Sequence, residues 1–410
     1  MKISVVKIIS ILTLLLTFTS VNSMSIIPFG NLYTTIILQI LLILLIFREK
    51  NKLYTIHKKN YNIINIYIIW TVICIVRGFI IAENYWEYRQ LLIGSISCLL
   101  PILVWVFYKP EVTWKIWSFW FKYGLLFFIL FYSWNIGFTQ VYLWPLLILF
   151  CFFPLFPKKK AWIVFITGIL FCYLGGIENR SQIINGIVSL LFGITSYFAT
   201  KIPPKFFKIG QILCYSSIFL VFGLVLNNIG KILHNQISIE EAKYGANNEF
   251  MQDSRSLIYA DVIASALNHN YILYGRTPAR GNDINVSYTL FFWGYEDQSN
   301  AFNKNERHAN EVLHLNIFTW EGLIGLILYS FIYFKASYLA IYKSKNSYLK
   351  LLGCFITFRW VFGWIEDVNY FNISNIALWA MIGICYSYLF RNMTNIEFKQ
   401  WIRKLTRWRN

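Results

Sequence analysis

The sequence predicts an all-α polytopic membrane protein of about twelve transmembrane helices, with one long outer loop that carries short helices. Three observations predict it. The 410 residues are 57% hydrophobic and only 14% charged, with mean hydropathy +0.51, which is more apolar than a soluble core of this length requires. Apolar runs long enough to cross about 30 Å of hydrocarbon, roughly 17 to 25 residues each, recur along the chain. Lys and Arg fall mainly in alternate connections between those runs, as they do in cytoplasmic loops.

The runs lie at 4–22, 25–47, 61–82, 91–108, 115–134, 140–157, 161–177, 183–200, 209–230, 312–334, 349–365 and 373–390. The sixth and seventh are short, because Pro154, Pro157 and Lys158, Lys159 and Lys160 interrupt them. With the N-terminus inside, about 25 of the 37 basic residues lie on the cytoplasmic side, and the short outer connections hold only Arg89 and Arg180. The net charge of +18 is therefore a topology signal, reinforced by anionic membrane lipids, and not a nucleic-acid footprint. Trp and Tyr gather near the ends of the runs, at headgroup level. The seven cysteines all fall within runs and form neither a disulfide framework nor a metal-ligand spacing. The first run, with Lys2 and Lys7 ahead of it and "SVNS" after it, fits a cleaved signal peptide or an uncleaved anchor. The chain divides into an N-terminal bundle at 1–230, a long outer loop at 231–311, and C-terminal helices with a basic tail at 312–410.

Within the long loop, Ile258, Val262, Ile263 and Leu267 recur near helical spacing, which predicts an amphipathic helix over 254–268 capped by Asp253 or Ser254. The later part is rich in Gly and Asn and reads as irregular loop with an apolar island at 287–293. It ends on "NERHANEV", where Glu306, Arg307, His308, Asn310 and Glu311 crowd the mouth of the tenth run. Two other places carry charge on the outer side. "IENRSQIINGIV" sets Glu178 and Arg180 at a corner, and "RGFIIAENYWEYR" sets Arg77 inside a run and Arg89 at an outer mouth. Arg77, Lys122 and Arg359 lie within runs, where a charge is costly unless it faces a cavity or a partner.

The residue types suggest anion chemistry. Arg180, Arg255, Arg276 and Arg280 come from separate outer stretches, and a guanidinium is a permanently charged planar fork that matches phosphate oxygens two at a time. Four of them would suit a diphosphate headgroup. Breaking a sugar–diphosphate bond needs charge stabilisation on the leaving group and a base for the incoming hydroxyl, and His308 or Glu311 can be that base. Arg77, Arg89, Glu178, Asn310 and His314 are candidate cavity-lining residues. Each arginine has an alternative as the partner of a loop carboxylate such as Glu249, Asp261 or Asp283.

Three stretches resemble the bacterial O-antigen polymerase/O-antigen ligase family of polytopic membrane glycosyltransferases. "DSRSLIYADVIASALNHNYILYGRTPARG" is similar to the family's Arg-led amphipathic helix ending in a Gly-containing turn. "HANEVLHLNIFTWEGLIGLILY" is similar to its His-Asn mouth before a Gly-x-x-Gly helix, and "IENRSQIINGIVSLL" to its outer Arg-Ser corner. The sequence departs from the pattern at Ser254, Tyr259, Tyr271 and Ala309. The resemblance implies an enzyme of the bacterial inner membrane, with both termini cytoplasmic and its active site facing the periplasm. It implies an undecaprenyl-diphosphate-linked glycan donor contacted by Arg180 and Arg255, and an acceptor hydroxyl activated by His308, with Glu311 and His314 as alternatives. Transfer would invert the sugar, with no nucleotide sugar, metal or other cofactor. The acceptor is a glycan repeat unit for a polymerase of O-antigen or capsule, or lipid A core for a ligase, and a chain-length regulator protein is an implied partner. From another class, a transporter or flippase of lipid-linked glycans fits the run count and Arg77 and Arg359, but not the long loop or the absence of matching halves.

Overall fold

The computed structural model describes residues 4–20, 31–53, 62–131, 142–174, 180–234, 254–284, 306–366 and 369–406. Helices dominate them: α1 Val5–Ser20, α2 Leu32–Leu53, α3 Asn62–Ile81, α4 Tyr85–Cys98, α5 Leu103–Val106, α6 Pro110–Phe131, α7 Leu147–Phe150, α8 Lys158–Leu174, α9 Arg180–Phe198 and α10 Pro204–His234. There follow α11 Ser254–Asn268, the two-residue strands β1 Asn282–Asp283 and β2 Glu306–Arg307, then α12 Leu313–Tyr342, α13 Ser347–Phe362, α14 Ile373–Tyr386, α15 Tyr388–Asn392 and α16 Asn395–Leu405.

Six helical stretches among the described residues are long and apolar enough to cross a membrane: Leu32–Leu53, Asn62–Ile81, Tyr85–Val106, Arg180–Phe198, Pro204–Leu224 and Leu313–Tyr342. That is half the expected number, and the shortfall has local causes. The run at 140–157 is no single helix, because prolines at the start of Trp144–Leu146 and Phe153–Leu155 leave 3-10 turns around the one-turn α7. Helices α1, α8, α13 and α14 form where runs were expected but are short, and α6 carries Glu111, Lys115 and Lys122 along its length.

Helix α12 organises the C-terminal part, packing against α3, α13 and α14. It is not continuous: Gly322 sits at φ 70° and ψ −170°, a conformation that only glycine adopts readily. A break in a membrane helix must satisfy the backbone groups it frees. Here the segment after α11 does so. Leu323 N donates to Ile272 O at 2.8 Å and Ile324 N to Leu273 O at 3.3 Å, while Arg276 N donates to Thr319 O at 2.7 Å and Thr277 N to Trp320 O at 3.0 Å. Gly275, at φ 69°, lies against Gly322, and a Cβ on either glycine would collide with the other's backbone.

Arg77 of α3 secures the same segment, donating through Nη1 to Tyr274 O at 2.7 Å and through Nη2 to Gly275 O at 3.2 Å. The other two cations expected within runs, Lys122 and Arg359, also have company. Buried Arg359 donates to Asn185 Oδ1 and lies over the Trp144 ring at 4.6 Å, and exposed Lys122 lies 5.0 Å from the Tyr123 ring.

The helix expected at 254–268 is present, but its inner face differs from the one the apolar spacing suggested. Ile258, Tyr259, Val262 and Ala266 are buried together with Asp261 and Ser265, whereas Ile263 and Leu267 are exposed. Asp253 lies outside the described residues. In the tail, where the sequence showed basic charge, α16 begins with a Thr394–Glu397 capping box and buries Phe398, Trp401, Ile402 and Leu405.

Candidate functional site

Pairing of β1 with β2, with Asn282 opposite Arg307 and Asp283 opposite Glu306, brings the segment after α11 beside the charged mouth of α12. Glu306 is the hub. It is 7% exposed and accepts from Arg280 Nε at 2.9 Å to each oxygen, from Arg280 Nη2, and from Gly281 N at 3.1 Å; Arg276 Nη2 is 3.1 Å away. These bonds to Glu306 push the Arg280 guanidinium further toward its charged form. Arg276 Nη1 reaches Asp283 Oδ1 at 2.7 Å and Gly281 O at 2.8 Å. Asp283 Oδ2 in turn lies 2.5 Å from His269 Nε2. Buried Glu87 of α4 stands 4.0 Å from Arg280 Nε. Two arginines are thus held by three carboxylates in a fixed array.

His308 lies inside this array. Neither of its ring nitrogens, both buried, has a hydrogen-bond partner among the described residues. Burial lowers its pKa below the ordinary histidine value, partly offset by the charge of Glu306, so the imidazole is neutral near pH 7. Its backbone is pinned, since Trp320 Nε1 donates to His308 O at 3.0 Å. Asn310 is pinned as well: its N–H donates to Asn316 Oδ1 at 2.5 Å, its Nδ2 to Asn282 Oδ1 at 3.0 Å, and its carbonyl accepts from Asn316 Nδ2 at 2.8 Å. A neutral imidazole with an unpaired nitrogen is able to accept a proton once a hydroxyl reaches it.

The other candidates separate. Arg255 lies 3.3 Å from Glu366 and 3.8 Å from Glu311, with a third of its side chain exposed. Glu311 also stands 3.9 Å from Arg307, so two guanidinium groups face it. His314 is fully buried, its Nε2 donating to Trp360 O at 2.9 Å and its ring 4.5 Å from that of Trp364, which is the environment of a core histidine. Arg180 opens α9, is exposed, and makes no ion pair among the described residues. Arg89 is half-buried and lies 5.3 Å from the Trp86 ring, and Glu178 lies outside the described residues. Arg77 faces the docked segment rather than a cavity.

Beside Ala309 and Trp320 opens a cavity of about 390 Å3, bounded by α1, α2, α4 and the 370–372 turn. Its polar lining is uncharged, with Asn31, Gln39, Gln90 and Asn372 prominent. Sequence reasoning missed all four. The available signal was Gln39 in an otherwise apolar stretch of α2. No group of three His, Cys, Asp or Glu side chains able to hold a metal occurs among the described residues. No family model, curated protein or solved structure matches the chain.

Proposed function

We propose that the protein is a membrane glycosyltransferase of the periplasmic face of a bacterial inner membrane, polymerising undecaprenyl-diphosphate-linked repeat units of O-antigen or capsular polysaccharide. The observation that carries this reading is the neutral, unpartnered His308 imidazole set among Arg276, Arg280, Glu87 and Glu306, one residue before Ala309 of the cavity wall. The acceptor hydroxyl oxygen attacks the anomeric carbon from the face opposite the diphosphate, its proton passes to His308, and the bond to the diphosphate breaks with inversion. Guanidinium groups take up the charge that develops on the leaving diphosphate; Arg255, paired with Glu366 but a third exposed, is more open than Arg276 and Arg280 and is assigned that role. No metal or other cofactor enters this chemistry. The resemblance to the O-antigen polymerase/ligase family, carried by short motifs, supports the same reading. A ligase acting on lipid A core would use the same donor chemistry with a different acceptor.

The test is complementation of a strain lacking its own copy, read as a glycan ladder on a gel, with Arg255→Ala and His308→Ala at matched expression. A null strain with single repeat units on its core, and a ladder restored by the wild-type chain, supports a polymerase. Accumulation of unattached polymer in the null strain supports a ligase. An intact ladder in both variants would overturn the site. One observation favours a second reading, movement of the lipid-linked glycan: the break at Gly322 with a segment docked into it resembles the interrupted helices of transporters. Loss of translocated lipid-linked units in the null strain would support that reading instead.

A further inference from the structure

The cavity beside Ala309 differs in chemistry from the ion-paired array next to it. Its described lining holds no charged side chain, although the chain as a whole carries +18. What it offers is carboxamides, hydroxyls and aromatic rings. Several of the hydroxyls already donate to backbone: Thr35 Oγ1 to Asn31 O at 3.0 Å, and Ser97 Oγ to Ile93 O at 2.9 Å. Their oxygens remain as acceptors. Gln39 donates through Nε2 to Phe371 O at 2.7 Å, which fixes its carboxamide with the side-chain oxygen left to accept. The Gln90 carboxamide bonds to no described residue, so it brings both a donor and an acceptor to the cavity. Tyr370, well exposed, and the nearly buried Trp320 and Phe371 complete the wall.

We propose that this cavity is a binding subsite for an uncharged, hydroxyl-rich sugar ring. The argument rests on matching. A carboxamide presents a donor and an acceptor side by side, the complement of neighbouring hydroxyls on a pyranose, and aromatic walls suit the apolar C–H faces of the ring. Its volume falls in the range of about 300 to 1,000 Å3 typical of small-molecule sites. An acyl chain would cover the half-buried Gln39 and Gln90 amides without bonding to them, and a carboxylate-bearing sugar would place a charge where no described counter-charge lines the wall. Trp320 ties the cavity to the site, because it belongs to the cavity wall while its Nε1 donates to the carbonyl of His308. Taken with the glycosyltransferase reading, on which this last step rests, the subsite holds the acceptor sugar; the preference for a neutral sugar does not depend on that reading.

The experiment is saturation-transfer NMR on the full-length protein in lipid nanodiscs, with millimolar glucose, galactose, rhamnose and N-acetylglucosamine as neutral probes and glucuronic acid as the anionic one. Wild type, Gln90→Leu, Gln90→Glu and His308→Ala are compared, with thermal melting to show that each is folded. The expected result is transfer to at least one neutral sugar, at least about tenfold weaker transfer to glucuronate, loss in both Gln90 variants, and retention in His308→Ala. No transfer to any neutral sugar, equal transfer to glucuronate, or unchanged transfer in folded Gln90→Leu would overturn the proposal. Neutral-sugar binding without ladder formation in complementation supports the subsite and sinks the glycosyltransferase reading, so the two fail separately.

Discussion

Replacing Gly322 by alanine tests the central structural feature, the broken helix with its docked segment. At φ 70° and ψ −170° an L-residue is strained, at a cost of order 1–3 kcal/mol. The added Cβ would also collide with the backbone at Leu273 and Gly275, so the segment must withdraw. Four backbone bonds join the broken helix to the docked segment, at Leu323, Ile324, Arg276 and Thr277, each worth roughly 0.5–1.5 kcal/mol net. Strain plus the loss of two of these bonds comes to about 3 kcal/mol, which is roughly a hundredfold in the opening equilibrium. Hydrogen exchange read by mass spectrometry on peptides covering 271–277 and 319–324 reports that opening directly. The expected outcome is about hundredfold faster exchange in both peptides, with α14 unchanged. If Gly322→Ala exchanges like the wild type in both, the break is not held by glycine and the docking argument is wrong.

Glu306→Ala leaves Arg276 and Arg280 without their shared carboxylate in a largely buried setting, and is expected to destabilise by about 3 kcal/mol, seen as a lower melting temperature in detergent; an unchanged melt would show the array to be slack. Because burial lowers the His308 pKa, its base form survives to more acid pH, so the acid limb of glycan transfer should lie below the ordinary histidine value of 6.5. A limb at or above that value would remove His308 from the role, and His308→Ala should slow transfer by about 10²–10⁴-fold. Glu321, fully buried beside the break, accepts from Thr71 Oγ1 at 2.7 Å. Glu321→Ala is expected to lower stability by roughly 2–4 kcal/mol and Glu321→Gln by distinctly less, because the amide oxygen can still accept; equal melts for the two would refute the bond's importance. Arg77→Leu removes both guanidinium bonds to the docked segment, and should raise exchange at 271–277 while leaving the packing of α13 on α12 intact.

The membrane-spanning character of α2, α3, α9, α10 and α12 was legible because insertion depends on the local sum of side-chain transfer energies, which a run of sequence contains. Of the two prolines that break up 140–157, Pro154 was read as shortening a span rather than dividing it, and Pro145 was not singled out. The helix at 254–268 was legible in extent but not in face. Tyr259 and Ala266 turn inward while Ile263 and Leu267 do not, because the inner face is chosen by what α11 packs against, namely α10 and α12. The charged mouth at Glu306, Arg307, His308, Asn310 and Glu311 was likewise apparent, while the roles within it were not. His308 and Glu311 read alike in the sequence; they differ because Glu311 faces two arginines and His308 has buried, unpaired nitrogens.

By itself the sequence determined the class: a strongly apolar, basic, helical membrane chain with polar chemistry concentrated near the start of α12. Those properties are sums over neighbouring residues, and neighbours in sequence are enough to compute them. Tertiary structure alone decided that the glycine pair around Ile324 marks a broken helix, that residues 271–277 fill the break, that Glu306 gathers Arg276 and Arg280, and that Gln39 and Gln90 face one cavity. Each of these joins segments far apart in the chain. A hydrogen bond or ion pair across such a distance exists only once the intervening helices have packed, so no local pattern announces it.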